Sequence, residues 1–107
     1  MSRSYSPDLW SIIEVEHNGE VMRKVLASWF GGYLGSNSWK ISSSINEVVE
    51  LPNAYEFHNE SGSIYIGYKN CYGASSYALD VFHNLQRQAL LEGGAVKLEL
   101  LKEFIAD

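Results

Sequence analysis

The segment 76-SYALDVFHNLQRQALL-91 decides the fold, because it is the run whose apolar residues follow helical spacing. They recur at intervals of three and four and so fall on one stripe of a helix. The stripe consists of Ala78, Val81, Phe82, Leu85 and Ala89. Ser75 or Ser76 can cap the start, and Gly93-Gly94 supplies the left-handed residue that ends a helix. We therefore predict one amphipathic helix over residues 76–91.

Upstream of this helix, the first strong signal is a β-hairpin. The β-branched residues of segment 9–17 predict a strand, and segment 20–30 is the returning strand. Asn18-Gly19 between them is typical of a two-residue type I′ turn. A loop of that length places Glu14 opposite Arg23, where they can form an ion pair.

Shorter strands complete the predicted fold. They lie at residues 39–43, 47–51, 55–57 and 63–69 before the helix and at 96–100 after it. Gly67 indicates either a bulge or the close approach of an aromatic ring. Residues 1–8 are expected to be a loose lead-in, and residues 101–105 continue either as a strand or as a helical turn.

These elements predict an α+β fold for residues 1–107, which form a single domain. A curled, mostly antiparallel sheet of five to six strands packs around one helix, in the order β-β-β-β-β-β-α-β. The stretch VLASWF at 25–30 is apolar at successive positions, so both of its faces must be covered. The helix covers one face, and a curled sheet, a loop or a second copy of the chain covers the other. The last alternative motivates the prediction of a homodimer.

Composition excludes several classes of protein. With 46% apolar and 20% charged residues, the chain is neither disordered nor membrane-spanning. A net charge of −5 without a cluster of Lys and Arg argues against nucleic acid and membrane surfaces as partners. The lone Cys71 excludes an internal disulfide and suits a reducing compartment. Because the first ten residues contain no apolar leader, we expect a cytoplasmic protein.

The first candidate site is a group of aromatic residues around the glycine-rich segment 31–35. Its members are Trp10, Trp29, Tyr33 and Trp39. Such rings can stack on a flat, apolar or cationic ligand, and a net negative protein favours the cation. The alternative is that these rings fill the core or a dimer interface, as buried aromatic residues usually do.

The second candidate is Cys71, which lies just before the predicted helix, where the helix dipole favours a thiolate. His58 or His83 would have to act as its base, and a lone cysteine is more often a small apolar residue of the core. A core role for Cys71 is thus favoured over catalysis. The ligand pairs of a metal site are missing from the sequence, because His17, His58, Cys71 and His83 are scattered. We predict neither a metal nor a cofactor.

The third candidate is an acidic patch between Lys40 and Lys69, a region without an intervening basic residue. Its members are Glu47, Glu50, Glu56 and Glu60. The patch can imitate nucleic-acid phosphates and occupy a basic protein partner, or it can simply keep the protein soluble.

Two segments, LASWFGGYLGSNSWKISSSI and YEFHNESGSIYIGYKNCYGASSY, carry a resemblance to a known group of proteins. Their W-x-G-G and S-W-[KR]-hydrophobic-S patterns resemble small proteins encoded by bacterial mobile gene cassettes, the integron cassette proteins. The similarity spans residues 22–80. It implies an accessory bacterial protein, compact and oligomeric, and it assigns no catalytic residues.

Together, these features predict a non-catalytic binding module that forms a homodimer and takes a small apolar or cationic ligand or a protein partner. Two alternatives remain. One is an acidic inhibitor of a nucleic-acid-handling protein, and the other is a thiol-dependent enzyme that uses Cys71.

Overall fold

The computed structural model describes residues 3–31 and 37–105, which form eight strands, a short 3-10 helix and one α-helix. The strands are β1 (Ser4–Tyr5), β2 (Leu9–His17), β3 (Glu20–Trp29), β4 (Ser38–Ile41), β5 (Ile45–Glu50), β6 (Ala54–Asn59), β7 (Ile64–Tyr68) and β8 (Val96–Leu100). The 3-10 helix spans Lys69–Cys71, and α1 spans Ser76–Leu91. The α+β class is therefore confirmed.

The strands form two four-stranded sheets, whereas the sequence predicted a single sheet of five to six strands. The first sheet has the order β1-β7-β6-β5, and the second has the order β4-β3-β2-β8. All neighbouring strands are antiparallel except β1 and β7, which are parallel. The predicted strand order lacked β1.

The molecule has three layers, with the second sheet in the middle. Between the two sheets lies an aromatic core, and a smaller aliphatic core lies between the second sheet and α1. The first contains Trp10, Ile12, Val25, Ala27, Phe57 and Tyr65, and the second contains Ile13, Val15, Leu26, Ala78 and Phe82. The sheet does not curl around the helix, because the aromatic residues fill a layer that α1 does not touch.

This layering explains the apolar stretch at 25–30. Val25 and Ala27 face the first sheet, while Leu26 faces α1. The first sheet therefore provides the second cover, and the stretch requires no second copy of the chain.

The helix has the predicted limits. The Oγ atom of Ser75 accepts a hydrogen bond from the backbone N–H of Ala78 at 3.1 Å, which caps the first turn. At the other end Gly94, with φ of 69°, donates its N–H to the carbonyl of Ala89. Ala78 and Phe82 are the buried members of its apolar stripe.

The hairpin also follows the sequence. Asn18 and Gly19 both have positive φ, 54° and 84°, as a type I′ turn requires. Glu14 lies opposite Arg23, and their side chains form an ion pair of 3.0 Å.

Both ends of the described chain depart from expectation. Part of the expected lead-in forms β1, because Tyr5 stacks on Tyr65 and the carbonyl of Arg3 accepts the N–H of Ile64. Residues 101–105 form neither a strand nor a helical turn. Instead the Phe104 ring packs against the aromatic core between the sheets.

Candidate functional site

A large cleft lies at the open end of the space between the two sheets. Its volume is about 700 Å³, within the range of small-molecule sites. Three parts of the chain line it: the end of the β2–β3 hairpin, the edge strand β5 and the C-terminal tail. The lining residues are Glu14, Val21, Met22, Arg23, Ser44, Ile45, Asn46, Glu47, Val48, Glu50, Phe104 and Ile105.

The tail closes the inner end of this inter-sheet cleft with an aromatic ring. Phe104 packs edge-on against Trp10, Tyr55 and Phe57, with centroid distances of 5.9, 5.0 and 5.3 Å. These contacts to buried side chains fix the Phe104 ring. The cleft therefore has a rigid apolar inner wall.

Apolar residues also form part of the outer walls. Val21 is 59% exposed and Ile105 is 67% exposed, although both are large aliphatic residues. Val48 lies opposite Phe57 in the first sheet, so its side chain is on the core-facing side of β5. Exposed apolar side chains that converge on one cleft are typical of a ligand site.

Carboxylates outnumber cations in the cleft. Its charged lining residues are Glu14, Glu47, Glu50 and Arg23. Arg23 pairs with Glu14, whereas Glu47 has no ion-pair partner among residues 3–31 and 37–105. The cleft is therefore net negative, and it combines that charge with apolar walls.

Next to the cleft, a carboxylate and an aromatic ring bind the ammonium group of a lysine in the same chain. The Lys69 ammonium donates a 2.6 Å hydrogen bond to Glu50 and lies 5.1 Å from the centre of the Tyr55 ring. The hydrogen bond to Glu50 raises the pKa of Lys69. A carboxylate and an aromatic face thus bind an ammonium group at this end of the molecule.

The structure separates the predicted aromatic site residues. Trp10 is 1% exposed, and its Nε1 donates to the carbonyl of Tyr68 at 2.7 Å, so it belongs to the core. Trp29 is half-buried against that core, and its Nε1 donates to the carbonyl of Ser6. Trp39 lies opposite Ser28 on the other face of the second sheet and is 42% exposed. Tyr33 lies outside the described residues.

Because Trp29 and Trp39 are on opposite faces of one sheet, they do not form a single stacking platform. The prediction that these rings bind a ligand is not tested. Their placement restricts it to separate sites on the two faces.

The predicted acidic residues are also divided. Glu47 and Glu50 line the inter-sheet cleft. Glu56 is on the outer face of β6, where His58 Nε2 lies 3.3 Å from its carboxylate. Glu60 is in the turn between β6 and β7. Glu47 lies opposite His58 and so shares the outer face of the first sheet with Glu56, while the Lys69–Glu50 bond reduces the negative charge.

Cys71 ends the 3-10 helix, and its Sγ lies 3.4 Å from Asn70 Oδ1. Within the described part of the chain, no hydrogen bond joins it to a histidine, and it packs partly against the aromatic core. That placement agrees with the alternative that Cys71 is a small apolar residue of the core. No group of three or more His, Cys, Asp or Glu side chains suited to a metal occurs among residues 3–31 and 37–105.

Sequence reasoning identified Glu47 and Glu50 but missed the apolar half of the cleft. Val21 and Phe104 carry no signal of their own, since each lies beside another apolar residue, Met22 or Ile105. Nothing in the sequence shows that these two segments meet.

Comparison of the chain with family models, curated proteins and solved structures gives no match. In the described part of the chain, no helix has the length and apolar character needed to cross a membrane.

Proposed function

We propose that this protein is a non-catalytic binding module that takes a small apolar cation, such as an aromatic quaternary ammonium compound, into the inter-sheet cleft. The observation that carries the proposal is the combination of apolar walls and excess carboxylate in a cleft of about 700 Å³. Such a cleft favours a ligand that is both apolar and positively charged.

The contacts of the ligand follow from the lining. The Phe104 ring and the aliphatic side chains of Val21 and Val48 would cover its apolar part. Glu47 borders the cleft at the irregular register between Ile45 and Glu47, on the face of β5 that it shares with His58, and it would balance the charge of the ligand from there. Arg23 and Lys69 already occupy Glu14 and Glu50.

The experiment is a titration of the 15N-labelled protein with benzyltrimethylammonium, followed by NMR, with benzyl alcohol as the neutral comparator. We expect shifts at the amides of β5, the end of the hairpin and Phe104, and weaker binding of the alcohol. Glu47→Gln should weaken binding of the cation about fivefold, because a half-exposed charge pair contributes about 1 kcal/mol.

Glu56→Gln is the matched control. It removes the same charge from the outer face of β6, outside the cleft, and should leave the affinity unchanged. Equal binding of the cation and the alcohol would refute the proposal. So would an equal loss of affinity in the two variants, because a general charge effect would then explain the binding.

The acidic-inhibitor alternative requires a continuous negative surface. Glu50, opposite Tyr55, is on the other face of the first sheet from Glu56, and its bond to Lys69 weakens the negative surface further. The thiol-enzyme alternative requires a base near Cys71, and no hydrogen bond in the described chain supplies one.

A further inference from the structure

Strand β8 is an edge of the second sheet, because among residues 3–31 and 37–105 it pairs only with β2. The Leu101 N–H donates to the carbonyl of Ile12 on β2. In an antiparallel pair, alternate residues direct both backbone groups toward the same side. Lys97 and Glu99 therefore bond to β2, whereas Val96, Leu98 and Leu100 direct their N–H and C=O groups outward.

One side-chain contact confirms that the backbone groups of Leu98 point away from β2. Gln86 of α1 donates its Nε2–H to the Leu98 carbonyl at 2.9 Å, from outside the sheet. The central carbonyl of the free edge is thus accessible to a donor. A second strand would supply the same bond from a backbone N–H.

The sequence of β8, VKLEL, is complementary to itself in antiparallel orientation. With Leu98 placed opposite the Leu98 of a second copy, Lys97 faces Glu99 and Val96 faces Leu100. That register pairs the outward backbone groups with each other, and it places opposite charges directly across the new ladder.

We infer that β8 pairs with β8 of a second copy of this chain and joins the two second sheets into one continuous sheet. The charges of the isolated chain support this interface. Glu99 lies opposite Glu14 in β2, and Arg23 already pairs with Glu14. Glu99 therefore faces a like charge without a cation of its own in the described chain. The second copy brings Lys97 to it.

The surroundings of the edge fit a second strand. A groove of about 520 Å³ follows β8 and is lined by Glu16, Lys97, Glu99, Gln86 and Leu90, among others. Leu90 is 72% exposed and would be covered at the interface. The backbone N–H of the second strand would replace Gln86 as the donor to the Leu98 carbonyl, and the Gln86 side chain would then contact the second copy.

The other edges do not offer this complementarity. Self-pairing of β5 about Val48 would place Glu47 opposite Val49 and Glu50 opposite Asn46, so no opposite charges would meet. Strand β1 has two residues and is too short to hold a partner, and the remaining edge strand, β4, has four residues and carries only one charge, on Lys40. The arrangement of charges therefore favours β8 as the edge that pairs with a second copy.

The test is the mass of the full chain in solution, measured by sedimentation equilibrium over a wide range of concentrations. The wild type should approach twice the 12.0 kDa of one chain. Lys97→Glu and Glu99→Lys each place like charges across the ladder, at two symmetric positions. Each should raise the dimer dissociation constant at least about tenfold.

The double variant Lys97→Glu/Glu99→Lys restores opposite charges across the ladder and should restore the dimer. Lys102→Glu, in the exposed tail, is the control for a change of the same charge and should leave the mass unchanged. Circular dichroism of each variant would verify the fold.

Three results would overturn the inference. They are a 12 kDa wild type at all concentrations, a dimer insensitive to both single changes, and a folded double variant that stays monomeric. None of these results depends on binding of a ligand in the inter-sheet cleft.

Discussion

Gly67→Ala should destabilise the protein strongly, because the Trp10 ring lies directly on the backbone of Gly67. A methyl group built at Gly67 would lie 2.6 Å from Trp10 Cε2, 2.7 Å from Cδ2 and 2.9 Å from Nε1. Ordinary carbon contacts are about 3.5–4.0 Å. The ring would therefore have to retreat by about 1 Å.

The side chains around Trp10 make that movement of the ring costly in free energy. The side chain is packed by Phe57, Tyr72 and Phe104 at ring-centroid distances of 5.1, 4.7 and 5.9 Å. Overpacking of this kind costs about 1–3 kcal/mol. A shift also strains the 2.7 Å bond from Trp10 Nε1 to the carbonyl of Tyr68, which contributes about 1 kcal/mol. We expect a total loss of about 2–4 kcal/mol.

Urea denaturation followed by circular dichroism measures this loss. Gly62→Ala is the matched control, since Gly62 has φ of 92° but no neighbour within 4 Å of the added methyl. Its loss should reflect backbone strain alone. In a Trp10→Phe background the smaller ring leaves room, so Gly67→Ala should cost less by more than about 1 kcal/mol, whereas Gly62→Ala should cost the same. A loss below about 0.5 kcal/mol for Gly67→Ala, or no coupling to Trp10, would refute the reasoning.

Three further changes test other parts of the fold by urea denaturation. Burial raises the pKa of Tyr65 to about 12, so the unfolded state ionises first. Stability should therefore fall by up to about 2.7 kcal/mol between pH 10 and 12, and Tyr65→Phe should reduce this slope. Ser75→Ala removes the helix cap and should cost about 1 kcal/mol, whereas Ser76→Ala should cost little. Phe104→Ala should cost about 2–3 kcal/mol if the tail closes the core, and an unchanged midpoint would contradict that role.

The elements that the sequence predicted well are those set by near neighbours. The limits of α1 depend on Ser75 and Gly94, and the register of the β2–β3 hairpin depends on Asn18-Gly19. In each case the deciding residues lie within a few positions of the structure that they determine. Loop closure over such short distances leaves few alternatives.

The arrangement of sheets and the candidate site depend on contacts between distant residues. Trp29 and Trp39 are close in sequence, yet the β3–β4 register pairs Trp39 with Ser28. A shift of one residue reverses the face, so the sequence around the glycine-rich segment does not determine whether two rings meet. The cleft likewise has Val21 and Phe104 in one lining, an arrangement that neither segment indicates by itself.

One sequence feature indicated that both faces of β3 are covered, and of the three alternatives for the second cover, a curled sheet, a loop or a second copy, the structure shows a sheet. Both Ile12-Ile13 and segment 25–27 are apolar without alternation, as a strand covered on two faces should be. α1 buries only Ala78 and Phe82 completely, so it has no surface left for the aromatic residues. The chain must therefore supply another cover for Trp10, and β5 to β7 provide it. Two apolar faces in the middle sheet imply three layers within one chain, while the charges on the β8 edge are what favour a second copy.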